Sequence, residues 1–212
     1  MENNTTNKPA TELSVGILAY GSLISNPDSE IKCARTRVTE NVQTPFCVEF
    51  ARSSGKRGHA PTLVPVEDGG ARVNGQVFVM DLTEEEAASV LYRREIDKVG
   101  TEKQYSRPKT VTENTVLVER LTDFVGLDVV VYTKIAATIS PLTSGRLAEL
   151  AINSVARTGA GRDGISYLMA AKHHGIVTAL SPEYEAEILR KTGCESLEDA
   201  LSKLSRTAKE TG

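Results

Sequence analysis

Apolar residues along this chain follow two spacings, and the change from one to the other falls near residue 134. Before it they alternate with polar residues or gather in short runs bounded by turn residues, the pattern of half-buried and fully buried strands. Strands are predicted over residues 15–20, 44–50, 62–66, 75–81, 115–118 and 128–134. Gly55, Gly58, Pro61 and Asp68-Gly69-Gly70 punctuate them as turns. One helix interrupts the series. Thr83 stands at its N-cap with Glu86 three residues later, a reciprocal capping pair, and the apolar Val90 and Leu91 follow before the helix ends near Arg94 or Glu95.

After residue 134 the spacing becomes helical. Ser140-Pro141 marks a start, and Leu147, Leu150, Ala151 and Val155 recur at steps of three and four until Gly159. Ile165, Leu168 and Met169 share one face of a second helix that leads to Ile176, with Gly164 and Gly175 as its limits. Ser181-Pro182 opens a third helix and residues 196–204 form a fourth. Strands first and helices afterwards predict an α+β fold, a small mixed or antiparallel β-barrel packed against flanking and C-terminal helices. The expected organisation is a single domain over residues 13–212, with barrel core 13–138 and helical part 139–212. Residues 1–12, rich in Asn and Thr with almost nothing to bury, read as a flexible tail.

Composition narrows the class of partner. Charged residues make up 25% of the chain, but the net charge is only -3, without the basic excess that nucleic acids or anionic membrane surfaces demand. The apolar run 125–131 is broken by Gly126 and Asp128, far short of a membrane span, and the N-terminus shows no hydrophobic signal core. The expectation is a cytoplasmic protein that binds neither nucleic acid nor membrane. Cysteines at 33, 47 and 194 are odd in number and lack paired spacing, which argues for free, partly buried thiols over a disulfide framework or a zinc knuckle.

Few residues could do chemistry. His173 and His174 are neighbours on a predicted helix and point about 100° apart, so they cannot act as an i, i+4 metal pair; a solvated helix end suits them. His59 with Cys33 or Cys47 has no local motif behind it. The run from Gly159 to Gly164 matches Gly-x-Gly-x-x-Gly, but amphipathic helix precedes it where a dinucleotide site needs a strand, so a helix-to-helix loop is expected. Glu84, Glu85 and Glu86 lie in the first turn of their helix, where the macrodipole stabilises negative charge. Glu95 lies at the other end, where the dipole opposes a carboxylate while Arg93 and Arg94 favour it. The strand 15–20 runs into Gly21-Ser22-Leu23. Gly21 can take a positive φ, and the amides of Gly21, Ser22 and Leu23 could converge on an anion, or the segment could be an ordinary tight turn.

Leu18-Ala19-Tyr20-Gly21-Ser22-Leu23, followed by Asn26-Pro27, closely resembles the opening motif of the γ-glutamylcyclotransferase-like proteins, nearest their ChaC-type branch. Leu91-Tyr92-Arg93-Arg94-Glu95 resembles the segment that carries that family's essential glutamate. Arg57-Gly58, Pro61 and Gly75-Gln76-Val77-Phe78 are similar to the family's middle, and Gly164-Ile165-Ser166-Tyr167-Leu168 with Gly175-Ile176 to the helical part of ChaC-type proteins. The likeness spans roughly residues 15–189. It implies a cofactor-free, metal-free reaction in which a γ-glutamyl amide or peptide yields 5-oxoproline and a free amine by intramolecular aminolysis. Glu95 would be the general acid and base, Gly21, Ser22 and Leu23 main-chain donors, and Tyr20 part of the pocket wall.

Two departures leave roles open. Ile96-Asp97-Lys98-Val99-Gly100 intervenes before Tyr105, where family members often place glycine and an aromatic sooner; Tyr105 either reaches back to the substrate or packs its ring. The basic stretch 51–57 is a solvated turn or offers Arg52 or Arg57 to an acidic substrate. The alternative to an enzyme is a non-catalytic protein that keeps the Tyr-Gly-Ser-Leu pocket and binds a small ligand.

Overall fold

β1 (Val15–Ala19) is buried along its whole length because strands flank it on both edges and side chains cover both faces. That explains its unbroken apolar sequence. The computed structural model describes residues 13–159 and 161–210; the expected tail 1–12 lies outside them. β1 pairs antiparallel with β5 (Asn74–Met80) and parallel with β7 (Leu127–Lys134), so that Ile17 stands beside both Phe78 and Val131. β2 (Arg35–Gln43) extends the sheet beyond β5 and β6 (Leu117–Phe124) beyond β7, in the order β2-β5-β1-β7-β6. Gly16 permits this density, since a Cβ there would come within 2.7 Å of Leu127 Cδ1 and 2.8 Å of Val77 Cγ1.

The strands do not close into a barrel, which corrects that part of the expected fold. β3 (Cys47–Ser54) and β4 (Ala60–Val66) form a separate antiparallel hairpin, joined to the neighbouring chain through a bridge between Val48 and Ala71. Their apolar side chains Val48, Phe50 and Leu63 face a core built by helices rather than by the large sheet. The α+β class stands, as a five-stranded mixed sheet with a two-stranded companion.

One face of the large sheet is covered by α3 (Glu84–Glu95), whose Ala87, Val90 and Leu91 pack with Val15, Ile17 and Val131. Its expected capping box is formed: Glu86 N–H donates to Thr83 Oγ1 at 3.3 Å, and Thr83 N–H to Glu86 Oε2 at 2.9 Å. Four helices follow the last strand: α4 (Ser144–Val155), α5 (Gly164–His173), α6 (Ser181–Thr192) and α7 (Leu197–Glu210). Ser140-Pro141 is a cis turn before α4 rather than its start, and Thr143 caps the helix instead. The Gly-x-Gly-x-x-Gly segment is a connector from α4 to α5, entered from a helix; its Ala160 lies outside the described residues. No described helix is long and apolar enough to cross a membrane.

Three elements have no counterpart in the sequence reading: α1 (Ser22–Ser25), α2 (Ser29–Ala34) and β2. β2 is an edge strand with two register shifts and one fully buried residue, Val42, so it carries no alternation to detect. Cys33 is exposed, against the expectation of partial burial, whereas Cys47 and Cys194 are half-buried; all three are free.

A buried carboxylate joins the hairpin to the helices. Glu49, 1% exposed, accepts from Phe50 N–H at 2.9 Å, Leu180 N–H at 3.0 Å and the Thr178 hydroxyl at 2.5 Å. Removing it strands the amides of Phe50 and Leu180, while the Thr178 hydroxyl keeps Ser181 Oγ at 2.8 Å. Glu49→Ala is therefore expected to destabilise the fold by about 2–6 kcal/mol, at about 1–3 for each stranded amide, and Glu49→Gln by less, because an amide oxygen still accepts. Urea unfolding of the two variants against the parent protein checks the order and the size.

Candidate active site

The C-terminal end of α3 meets the turn that leaves β1. Arg93, next to last but one in the helix and 9% exposed, holds α3 in place by pairing with Glu30 of α2, Nε to Oε2 at 2.9 Å, and by donating to Lys103 O at 2.9 Å. The Ile96–Gly100 insertion folds back over the same anchor: Lys98 N–H donates to Arg93 O and Gly100 N–H to Glu30 Oε1 at 2.7 Å. With Arg93 turned to α2, Arg94 and Glu95 are left facing the turn.

They line a cleft of about 70 Å³ with Tyr20, Ser22, Leu23, Thr133 and Tyr167 as further neighbours. Leu18, Leu63, Val64 and Ile135 supply apolar wall. Glu95 Oε1 accepts from Arg94 Nη1 at 2.6 Å, and the same guanidinium reaches Ser22 Oγ at 3.2 Å and Asn26 O at 3.4 Å. The carboxylate side chain is 25% exposed and the guanidinium 15%, so the pair opens to the cleft while being mostly withdrawn from water. Lys56, ion-paired with Asp97, donates to Glu95 O at 3.3 Å and so caps the end of α3.

Gly21 adopts φ 65°, ψ -134°, a region open to glycine and costly for other residues. A Cβ at Gly21 would meet Tyr167 Oη at 2.7 Å, which shows how closely the α5 tyrosine presses on the turn. Tyr167 lies against the backbone of Ser22 and Leu63; burial pushes its phenol up, and those backbone groups and Arg57 pull the other way. Tyr20 donates to Thr133 O at 2.6 Å, and burial first, then the nearby Glu95 charge, raise its phenol well above the ordinary value.

Of the residues singled out in the sequence, Tyr20, Ser22, Leu23 and Glu95 come together in this cleft, with Gly21 shaping the turn. Two do not. Tyr105 packs edge-to-face on Tyr92 at 5.3 Å and bonds through its hydroxyl to Val118 of β6, donating to the carbonyl and accepting from the amide. Arg57 stands behind the cleft, over the Tyr167 ring at 4.7 Å, where burial lowers its pKa. Arg52 spends its guanidinium on Glu113 O, Ala136 O and Asn114 Oδ1, at 2.8–2.9 Å. Among the polar residues of the cleft, Arg94, Tyr167 and Thr133 had no role there in the sequence reading. Arg94 had a signal, its adjacency to Glu95; Tyr167 had only its place in the helical likeness.

A larger cleft of about 340 Å³ lies apart, lined by Glu40, Asn74, Gln76, His173 and His174 among others, and contains neither Glu95 nor any residue of the Tyr20–Leu23 turn. The histidines end α5 as expected, His173 exposed and His174 with Nε2 at 2.7 Å from Ser25 Oγ. His59 sits at Ser53, Oγ to Nδ1 3.4 Å. Among the described residues no three His, Cys, Asp or Glu side chains gather as metal ligands.

The model of the ChaC-like protein family matches residues 15–202 of the chain. The protein belongs to this family, which is γ-glutamylcyclotransferase-like. No curated protein and no solved structure gives a significant match.

Tyr20, Tyr167 and Tyr184 all have phenols raised by burial above 10.0. The folded protein keeps these protons where the unfolded chain releases them, so their contribution to stability is complete below about pH 10 and is lost as pH climbs past it. Thermal melts are expected to be flat in this respect to about pH 9.5 and to fall steeply above about pH 10.5, with phenolate absorbance rising in step with unfolding.

Proposed function

We propose that the protein converts a γ-glutamyl amide or peptide into 5-oxoproline and a free amine, with Glu95 as general acid and base and no cofactor. The observation that carries this reading is the meeting of Glu95 with the Tyr20–Leu23 turn in one small cleft, on a chain of a γ-glutamylcyclotransferase-like family.

The chemistry asks little beyond proton handling and position. The substrate carries its own nucleophile, the α-amino group, and tethering it to the γ-carbonyl supplies effective molarities of about 10⁵–10⁸ M when geometry is held. An α-ammonium cannot attack. Glu95 takes a proton from it, the amine nitrogen bonds to the γ-carbon, and Glu95 returns that proton to the leaving nitrogen as the amide C–N bond breaks; the second excess proton of the ring nitrogen passes to the departing amine, which is released as its ammonium form. Amides of Gly21, Ser22 and Leu23 donate to the glutamyl carboxylate or to the oxyanion that forms on the γ-oxygen. Tyr20, held neutral and fixed to Thr133, walls the glutamyl chain. Incubation with a panel of γ-glutamyl compounds, read by mass spectrometry, should reveal 5-oxoproline from at least one of them; none from any would refute the reading.

A further inference from the structure

We infer that Arg94 is a specificity-determining residue that binds the α-carboxylate of the substrate, exchanging Glu95 for it. The inference rests on the proposed use of this cleft. Arg94 is the only basic residue among those lining it, its charge is set beside that of Glu95 at 2.6 Å, and the other lining residues are apolar or uncharged. Two opposite charges side by side, both mostly withdrawn from water, are costly to keep unless something complements them. An α-amino acid head group does: its ammonium and carboxylate sit on one carbon, so the ammonium meets Glu95 while the carboxylate meets Arg94.

The placement of the guanidinium favours this over a purely internal role. Its Nη2 already reaches Ser22 Oγ, at the first residue of α1, so a carboxylate arriving at the turn amides touches Arg94 as well. A planar fork of donors suits a carboxylate better than a point charge would. The exchange also orders the proton chemistry. Without substrate, Arg94 holds Glu95 in place through Nη1; when the substrate carboxylate takes the guanidinium, Glu95 is freed to meet the ammonium. Glu95 Oε2, which accepts no hydrogen bond among the described residues, is open to that ammonium.

The test uses binding, so that it stands apart from turnover. Calorimetric titration of the full chain with 5-oxoproline and with its carboxamide, which differ only in the carboxylate, is run on the parent protein, Arg94→Gln and Arg94→Lys. The parent is expected to prefer the carboxylate by at least about tenfold, the span of a charge-assisted bond. Arg94→Gln should bind both ligands alike, and Arg94→Lys should recover part of the preference. Equal loss of both ligands in Arg94→Gln, an unchanged preference, or no preference in the parent would overturn the assignment, even if 5-oxoproline is still formed. Absence of turnover with the preference intact would instead overturn the proposed reaction and leave Arg94 as a carboxylate-binding residue.

Discussion

Glu95→Gln should lower the rate of 5-oxoproline formation by about 10²–10⁴, the share of general acid–base catalysis. The substitution keeps size and one acceptor oxygen, so it can still receive Arg94 Nη1. It removes only the ability to hold and return a proton. The side chain makes no other hydrogen bond within the described residues, and α3 is fastened through Arg93 and its capping box, so the melting temperature should change little. Ligand affinity should survive within about tenfold, because an effect on turnover alone is the mark of a group used in the transition state. A variant that keeps its rate would refute Glu95 as the base. A parent protein that binds γ-glutamyl ligands as tightly as the variant and releases no product would establish the binding-only alternative.

Local chemistry is what the sequence made legible. The capping box at Thr83 and Glu86 is written in residues three apart and fixes the start of α3, while the end, expected near Arg94 or Glu95, lies at Glu95. The Gly21 turn was legible for the same reason, since its angles are a property of one residue. Sheet membership was not. β3 and β4 have the same alternation as the other strands, and only their burial against Leu147, Leu168 and Ile188 of the helices separates them from the large sheet. A count of strands therefore suggested a barrel where the chain builds a mixed sheet and a hairpin.

The cleft shows the same division. Glu95 and the turn could be named because each sits in a contiguous motif, whereas Tyr167 arrives from α5, across most of the chain. In the sequence Arg94 reads as a charge beside Glu95 with no place in the pocket; inside a helix residues i and i+1 do not face each other. Glu95 is the last residue of α3, and at that boundary the neighbouring side chains do meet. In the sequence Tyr105 stands between two roles, reaching back to the substrate or packing its ring. Its amide to Ser89 Oγ at 3.0 Å and its hydroxyl to Val118 instead tie the loop after α3 to the back of that helix and to β6, away from the cleft.

Gly21→Ala is expected to disable the protein through the turn itself. Two penalties combine. The backbone angles of φ 65°, ψ -134° lie outside the regions an L-residue occupies at ease, which costs about 1–3 kcal/mol. The new Cβ would also stand 2.7 Å from Tyr167 Oη and 3.3 Å from Leu63 Cδ1, distances that a packed interior cannot absorb without movement. Tyr167 is 7% exposed, edge-to-face with Phe50 at 6.0 Å and overlain by Arg57, so it has little room to retreat. The turn must move instead, and with it the amides of Ser22 and Leu23 and the hydroxyl that Arg94 reaches. A shift of about 1 Å at a positioning group can cost about 10²-fold in rate. The expected result is a melting temperature lowered by several degrees, at about 2–4 kcal/mol lost from strain and overpacking together, and kcat/KM for 5-oxoproline formation reduced by about 10²-fold or more. The two effects can be separated with Gly21→Ala combined with Tyr167→Phe. Deleting the hydroxyl relieves the contact with Oη but leaves the backbone strain, so the double variant should regain part of the lost stability relative to Gly21→Ala. If it regains none, the close approach of Tyr167 to the turn is not what makes glycine necessary there.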